Sequence, residues 1–458
     1  MNLQHLLDQY LQSPLVNQLV NRLSYADTQK TYLENLQGSS AEFIVSSVFM
    51  HPEAQGFNHL VILNDAEEAA YFHNTIENLT SALDLFYFPS SFKNRKNFRL
   101  LNSSHVMLRT EMLTKLSRGG NKKIIITYPE AVFEKVILPE TISSNIITIK
   151  TNDTINPESL MDLFVMYGFE RTDFVYEPGQ FALRGGILDI YSFGNEKPYR
   201  VELFGNEVDS IRIFDPETQL SERKLLQINI IPNVDTLPEA FGEGSVQKIS
   251  LLDFLPENTI IWLNDWDVIE EKIRVQEEDF EGYLLLQDQG YFAKQHEEED
   301  HHVLKEGHWT DFIKANEIKT ILETKPLIEF GYKPYFAQFN LTFLVKPQPA
   351  FNRQFDLLIK DLKALEGAQY SIYIFAEQIK QLERLNTIFT DLNTEIQFTP
   401  IGTSIHEGFI DHQLKLVCYT DHQIFQRYHK YKVKQAYNKN KALTLKTLRD
   451  LQPGDYVT

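Results

Sequence analysis

RTDFVYEPGQFALRGGILDIYSFGNEKPYRVELFGNEVDSIRIFDPETQLSE, residues 171–222, breaks into short runs in which apolar and polar residues alternate. Alternation with a period of two sends successive side chains to opposite faces of a strand. The runs are punctuated at Arg184-Gly185-Gly186 and Phe204-Gly205-Asn206, where glycine and asparagine tolerate the positive φ that tight hairpins require. A small antiparallel β-rich domain is therefore predicted. In its strands Val201 and Leu203 are expected to face a core while Arg200 and Glu202 share the other face. In the same way Leu188 and Ile190 point inward, leaving Asp189 and Tyr191 outside. With Arg171 and Arg184 this predicts an exposed face of arginine, aromatic ring and carboxylate, the composition of protein-binding hot spots. The plainer reading of the same pattern is a set of cross-strand charge pairs on a solvated sheet, and on pattern alone it is the stronger one.

On either side the texture changes. Residues 1 to about 130 alternate strand-like and helix-like segments, such as Leu60 to Leu63 followed by Asp65 to Leu79. A second buried strand, Ile124 to Thr127, lies between the turn Arg118-Gly119-Gly120 and Tyr128-Pro129. This order predicts a parallel α/β domain. Residues 219–350 are mixed, with acidic stretches at Glu270-Glu271, Glu277-Glu278-Asp279 and Glu297 to Asp300. Pro347-Gln348-Pro349 reads as a boundary; the helical Phe355 to Leu365 and the strand-like Tyr370 to Phe375 then open a second, small α/β unit. The expected fold class is α/β. Residues 1–134 and 219–350 together form one parallel domain, residues 135–218 an inserted β-rich α+β domain, residues 351–428 the small α/β domain, and residues 429–458 a basic linker.

Composition narrows the chemistry. A chain of 458 residues exceeds one core, and 44 Lys plus Arg against 63 Asp plus Glu give a net charge of −19. Such a charge repels phosphate backbones, so DNA binding is expected to be weak or absent. No apolar run approaches the roughly 18 to 20 residues of a membrane span, and Met1 to Tyr10 carry no export signal, so a cytoplasmic location is expected. The single cysteine, Cys418, reads as a buried structural thiol. His296, His301 and His302 sit in a run of acidic residues that rarely fixes ligand geometry, so no metal is expected. Asp421-His422 lacks any nucleophile motif and implies no catalysis. Lys430, Lys432, Lys434, Lys439, Lys441 and Lys446 read as a solvated connection.

The run from Arg171 to Glu222, with Glu177-Pro178-Gly179-Gln180 leading into Arg184-Gly185-Gly186 and with Phe214-Asp215-Pro216-Glu217-Thr218-Gln219, resembles the second domain of bacterial transcription-repair coupling factors more than that of UvrB. The resemblance extends over essentially the whole chain. It implies a UvrB-like module whose inserted domain docks the excision-repair protein UvrA, with Arg171, Arg184, Tyr191, Arg200 and Glu202 on the binding face. It further implies recruitment of UvrA to stalled RNA polymerase, with polymerase bound by a domain beginning at Pro453 to Val457. The UvrA surface is then masked by a C-terminal domain beyond residue 458, and the family's ATP-driven DNA translocation belongs to motor domains also beyond it.

A second motif bears on cofactors. Gln37-Gly38-Ser39-Ser40-Ala41-Glu42 stands where helicase domains carry a phosphate-binding Gly-Ser-Gly-Lys-Thr. The lysine position is Ala41 and the magnesium-binding hydroxyl position is Glu42, an anion facing an anion. Gly38, Ser39, Ser40, Ala41 and Glu42 therefore read as a degenerate nucleotide loop, and no cofactor is expected, ATP and magnesium being confined to the motor domains. An active UvrB-like ATPase would need an intact loop and a long aromatic hairpin, and neither is visible. The other rival is a structural module that restrains the motor and binds UvrA weakly by itself.

Overall fold

A computed structural model describes residues 2–23, 30–80, 84–94, 96–120, 122–234, 247–290 and 307–429. His296, His301 and His302, the lysines from 430 to 446, and Pro453 to Val457 lie outside the described residues.

The run Ile124-Ile125-Ile126 and the strand Thr259–Leu263, which contains Trp262, are buried on both faces, as parallel strands covered by helices must be. They belong to a seven-stranded, wholly parallel sheet in the order Phe339–Thr342, Thr31–Glu34, Leu327–Glu329, Thr259–Leu263, Asn58–Ile62, Ile124–Thr127, Leu85–Tyr87. Four strands come from before the insertion and three from after it. Leu60 stands between Ile261 and Ile125 at the centre. Each such fully buried aliphatic contributes on the order of 1.5–3 kcal/mol relative to exposure.

The inserted domain stands on a two-stranded neck, Ile147–Lys150 paired with Gln227–Ile230. Asn156 caps its helix Pro157–Met166, accepting from the N–H groups of Glu158 and Ser159 at 3.0 and 3.2 Å. Its sheet has six strands in the order Ser221–Leu225, Glu207–Phe214, Tyr199–Phe204, Ile187–Ile190, Gln180–Arg184, Glu170–Arg171. Phe181, Leu188, Ile190, Val201 and Ile211 form its packed face, and Phe181 meets Phe164 of the helix edge-on.

The expected limits of 135–218 need correction at both ends. Val136–Ile137 pairs with Lys248–Ile249, and the helix Pro139–Ser144 packs on Ser103–Ser117, so residues before 147 belong to the parallel domain. At the other end Ser221–Leu225 continues the six-stranded sheet. That edge strand escapes the sequence pattern because Ser221, Glu222, Arg223 and Lys224 are all exposed and leave no alternation to read.

The small domain also starts earlier than expected. Val345–Pro347 is the outer strand of a five-stranded sheet ordered Val345–Pro347, Phe409–Asp411, Leu416–Thr420, Ser371–Phe375, Thr399–Ile401. Pro347 is tolerated there because an edge position needs no further ladder bond. Gln348 follows, its Oε1 accepting from the Thr420 N–H at 2.8 Å. Leu358, Leu362, Ile374, Leu385 and Val417 fill one side of this sheet. The other side is continuous with the parallel domain: Phe43 packs edge-on against Phe409 and Phe375, and the Tyr10 hydroxyl donates to Asp411 at 3.1 Å. Cys418 is buried in that seam, and burial holds its thiol well above the ordinary range. No helix among the described residues is long and apolar enough to cross a membrane.

Candidate docking site and the degenerate nucleotide loop

Register lays the second face of the inserted sheet out in rows. One row is Ala182, Asp189, Arg200, Arg212 and Lys224; the next is Arg184, Ile187, Glu202 and Ser210. Asp189 is the centre of this face and is wholly buried. Arg200 grips it with Nε to Oδ1 at 2.7 Å and Nη2 to Oδ2 at 2.9 Å, and Arg184 donates Nη2 to the same Oδ2. Each guanidinium also donates Nη1 to a carbonyl, Arg200 to that of Gln219 at 3.0 Å and Arg184 to that of Asp173 at 2.7 Å. Each guanidinium lies over a ring, Arg184 over Phe174 and Arg200 over Phe214. The hydrogen bond to Asp189 raises the Arg200 pKa above its ordinary value.

The structure thus brings Arg184 and Arg200 together, as braces on an internal carboxylate. Arg184 stays one-third exposed and Arg200 15% exposed. Glu202 is half-buried, paired with Arg212 at 3.1 Å and accepting from the Ser210 hydroxyl. Arg171 is a correction: it is exposed on the short outer strand Glu170–Arg171, but it pairs with Phe181 and so points to the other face of the sheet from Asp189, Arg184 and Glu202. Tyr191 is a correction too: it is 1% exposed, clustered with Val175, Ala182 and Phe214, with its hydroxyl donating to the Glu196 carbonyl at 2.6 Å. Period-two alternation places Tyr191 and Asp189 on the outer face rightly, but the segment carrying Val175 and the side chain of Phe214 fold over that face and cover them. The exposed members that the sequence reading missed are Phe174, 41% exposed, and Lys224. An aromatic ring in the polar run before Pro178 was the available signal for Phe174.

The degenerate loop occupies a strand–loop–helix junction, between Thr31–Glu34 and the helix Ser40–Met50. Such a junction binds phosphate only if its N–H groups are free. Here the Ser39 N–H donates to the Glu407 carbonyl at 3.0 Å, and the Ser40 N–H to that of Gln37 at 3.3 Å. Glu407 returns its own N–H to Ser39 Oγ at 3.1 Å. Gly38 has φ +54°, and a Cβ on it would stand 2.6 Å from the Gly408 carbonyl oxygen. The small domain is therefore seated on the loop. Beside the contact Tyr71 stacks on His406 with centroids 3.7 Å apart, and its hydroxyl donates to the His429 carbonyl at 2.8 Å. Ala41 and Glu42 begin the helix, both buried, and burial pushes the Glu42 carboxyl up to about 8. Among the described residues no group of three or more His, Cys, Asp or Glu is arranged to hold a metal.

Residues 147–235 match the family described as the UvrB interaction domain, which coincides with the inserted domain and its neck. Over 87% of its length the chain is 22% identical to a transcription-repair-coupling factor of Staphylococcus aureus strain MRSA252. Over 94% it is 22% identical to that of Staphylococcus haemolyticus. It spans about two fifths of the length of these relatives, 38% and 41%. With the family match lying on the inserted sheet and the similarity running through the parallel and small domains alike, the chain is a relative of the transcription-repair-coupling factors that carries a UvrB interaction domain.

Proposed function

We propose that this chain is a docking module that brings the excision-repair protein UvrA to a stalled RNA polymerase and makes or breaks no bond itself. The observation that carries this reading is the coincidence of the UvrB interaction match with the inserted sheet, whose outer face presents arginines beside an exposed ring. Phe174, the free edge of Arg184 and the Glu202–Arg212 pair form the contact surface, whereas Arg171 takes the opposite face at the edge of the sheet. The Asp189 brace holds that surface rigid, so little side-chain entropy is lost on binding. Guanidiniums suit a partner carboxylate because they engage it bidentately. Tyr191 takes no part, since it is buried. ATP has no role in this chain, because the Ser39 N–H is spent on Glu407 of the small domain, that of Ser40 on Gln37 of the loop itself, and Glu42 faces where a phosphate would lie. Polymerase binding and ATP-driven translocation belong to the rest of a longer cytoplasmic protein.

The test is calorimetric titration of the chain with its cognate UvrA. Saturable binding is expected, weakened about tenfold or more by Phe174→Ala or Arg212→Ala with unchanged circular dichroism. A folded chain that fails to bind UvrA, or that binds equally well with both residues replaced, overturns the reading.

A further inference from the structure

A cavity of about 570 Å³ opens above the carboxyl ends of four neighbouring parallel strands, Thr31–Glu34, Leu327–Glu329, Thr259–Leu263 and Asn58–Ile62. Crevices in that position are where open parallel sheets take small ligands. Its lining follows directly from the strand ends, with Asn35, Gly331, Asn264 and Asn64 in the walls.

The chemistry of the cavity is the reverse of a nucleotide site. Neither lysine nor arginine lines it, whereas Glu42, Glu68 and Glu407 do. The N–H of Ser39, the donor an anion would use, is spent on Glu407. Acceptors outnumber donors. Glu68 is already satisfied, taking the Asn64 N–H at 3.1 Å and Asn264 Nδ2 at 2.7 Å. Glu42 is only 6% exposed and faces the cavity, yet its hydrogen-bonding neighbours are neutral, the Ser39 side chain and its own backbone. The Asn64 Oδ1 is shut off from solvent and accepts no hydrogen bond. Aromatic rings supply the remaining walls, among them Tyr32, Tyr71, Phe72 and Tyr332. Carboxyls and ring faces without a basic residue fit a cation that can donate several hydrogen bonds.

We propose that this cavity binds a small organic cation with primary ammonium groups, of about diamine size, between Glu42 and Glu407 and against the surrounding rings. An ammonium gives Glu42 the counter-charge it lacks and a hydrogen-bond donor. A quaternary amine does this less well, having no N–H. The cation also changes the ionisation of its host. Burial holds Glu42 neutral near pH 7, its pKa being pushed up to about 8. A cation beside it favours the carboxylate, so binding expels a proton. The other titratable groups facing the cavity do not supply that proton. Burial holds His406 down at about 4 and so already neutral, and it raises Tyr32 further from its ordinary value. Glu68 is raised, mainly by burial, and keeps its two amide donors; Lys272 nearby is paired with Asp65 at 3.2 Å and stands outside the lining.

The experiment is titration calorimetry of the whole chain with putrescine near pH 7, in two buffers of different ionisation enthalpy, with magnesium ATP as the anionic control. Saturable putrescine binding with proton release is expected, and none of ATP. Glu42→Gln, which copies the shape of the protonated acid, weakens putrescine binding about tenfold or more and abolishes the proton release. Tyr332→Ala supplies a variant that no core depends on, since that ring is 90% exposed, and it weakens binding severalfold while leaving the proton count intact. A folded chain that binds no putrescine, that binds it without releasing a proton, or that binds it equally well after Glu42→Gln overturns the proposal.

Discussion

Asp189 and Glu42 are both carboxyls inside the protein, and the fold treats them in opposite ways. Asp189 is gripped by two guanidiniums, one bidentate, and anchors a charged face. Glu42 has no cation against it, only neutral hydrogen-bonding partners and the carboxyls of Glu407 and Glu68, and burial drives it toward the protonated form. Depth alone therefore does not set the state of a buried acid; what stands against it does. In the inserted domain the cations come from neighbouring strands of one sheet. At the degenerate loop the position that could have carried a lysine is Ala41, and the nearest part of the other domain offers a backbone carbonyl and another glutamate.

The comparison is broken most forcefully by Asp189→Ala. It leaves two guanidiniums facing one another without their acceptor and costs about 3–5 kcal/mol, read by urea denaturation. Next comes Gly38→Ala, which forces a side chain at positive φ against the Gly408 carbonyl. It destabilises by about 2–3 kcal/mol and splits the thermal transition as the small domain loosens from its seat. Glu42→Gln acts with the opposite sign. The folded pKa of about 8 lies above the unfolded carboxylate value, so the wild-type chain loses stability as pH rises through that window. The variant is therefore about 3 kcal/mol more stable near pH 7, and the two chains converge below about pH 4.5. Arg171→Ala has the smallest effect on the fold, within about 0.5 kcal/mol by thermal denaturation, because the residue is exposed on a two-residue strand.

How much of this was written in the sequence depends on the range of the contact involved. The buried strand Ile124 to Thr127 and the hairpin turns at Gly185 and Gly205 announce themselves through neighbours a few residues apart. The reading of residues 38–42 as a degenerate nucleotide loop rests on neighbours in the same way, Ala41 and Glu42 standing where a lysine and a hydroxyl are needed. Tyr191 was misplaced because alternation tells which face a side chain takes and not what else folds over that face. The edge strand from Ser221 was lost because an exposed strand buries nothing. Seating of Gly408 on Gly38 joins residues 370 positions apart and leaves no local trace beyond the two glycines themselves.

The Tyr71 contact with the His429 carbonyl has a mechanical consequence. The small sheet begins at Val345, directly after a strand of the parallel sheet, and its last described residue is fastened to the helix Ala66–Thr80 of the parallel domain. Both ends of the small domain are thus tethered to the same body. Tension applied to the chain beyond residue 429 passes through Tyr71 into the seven-stranded sheet, and the five-stranded sheet hangs in parallel with that path, shielded from the load.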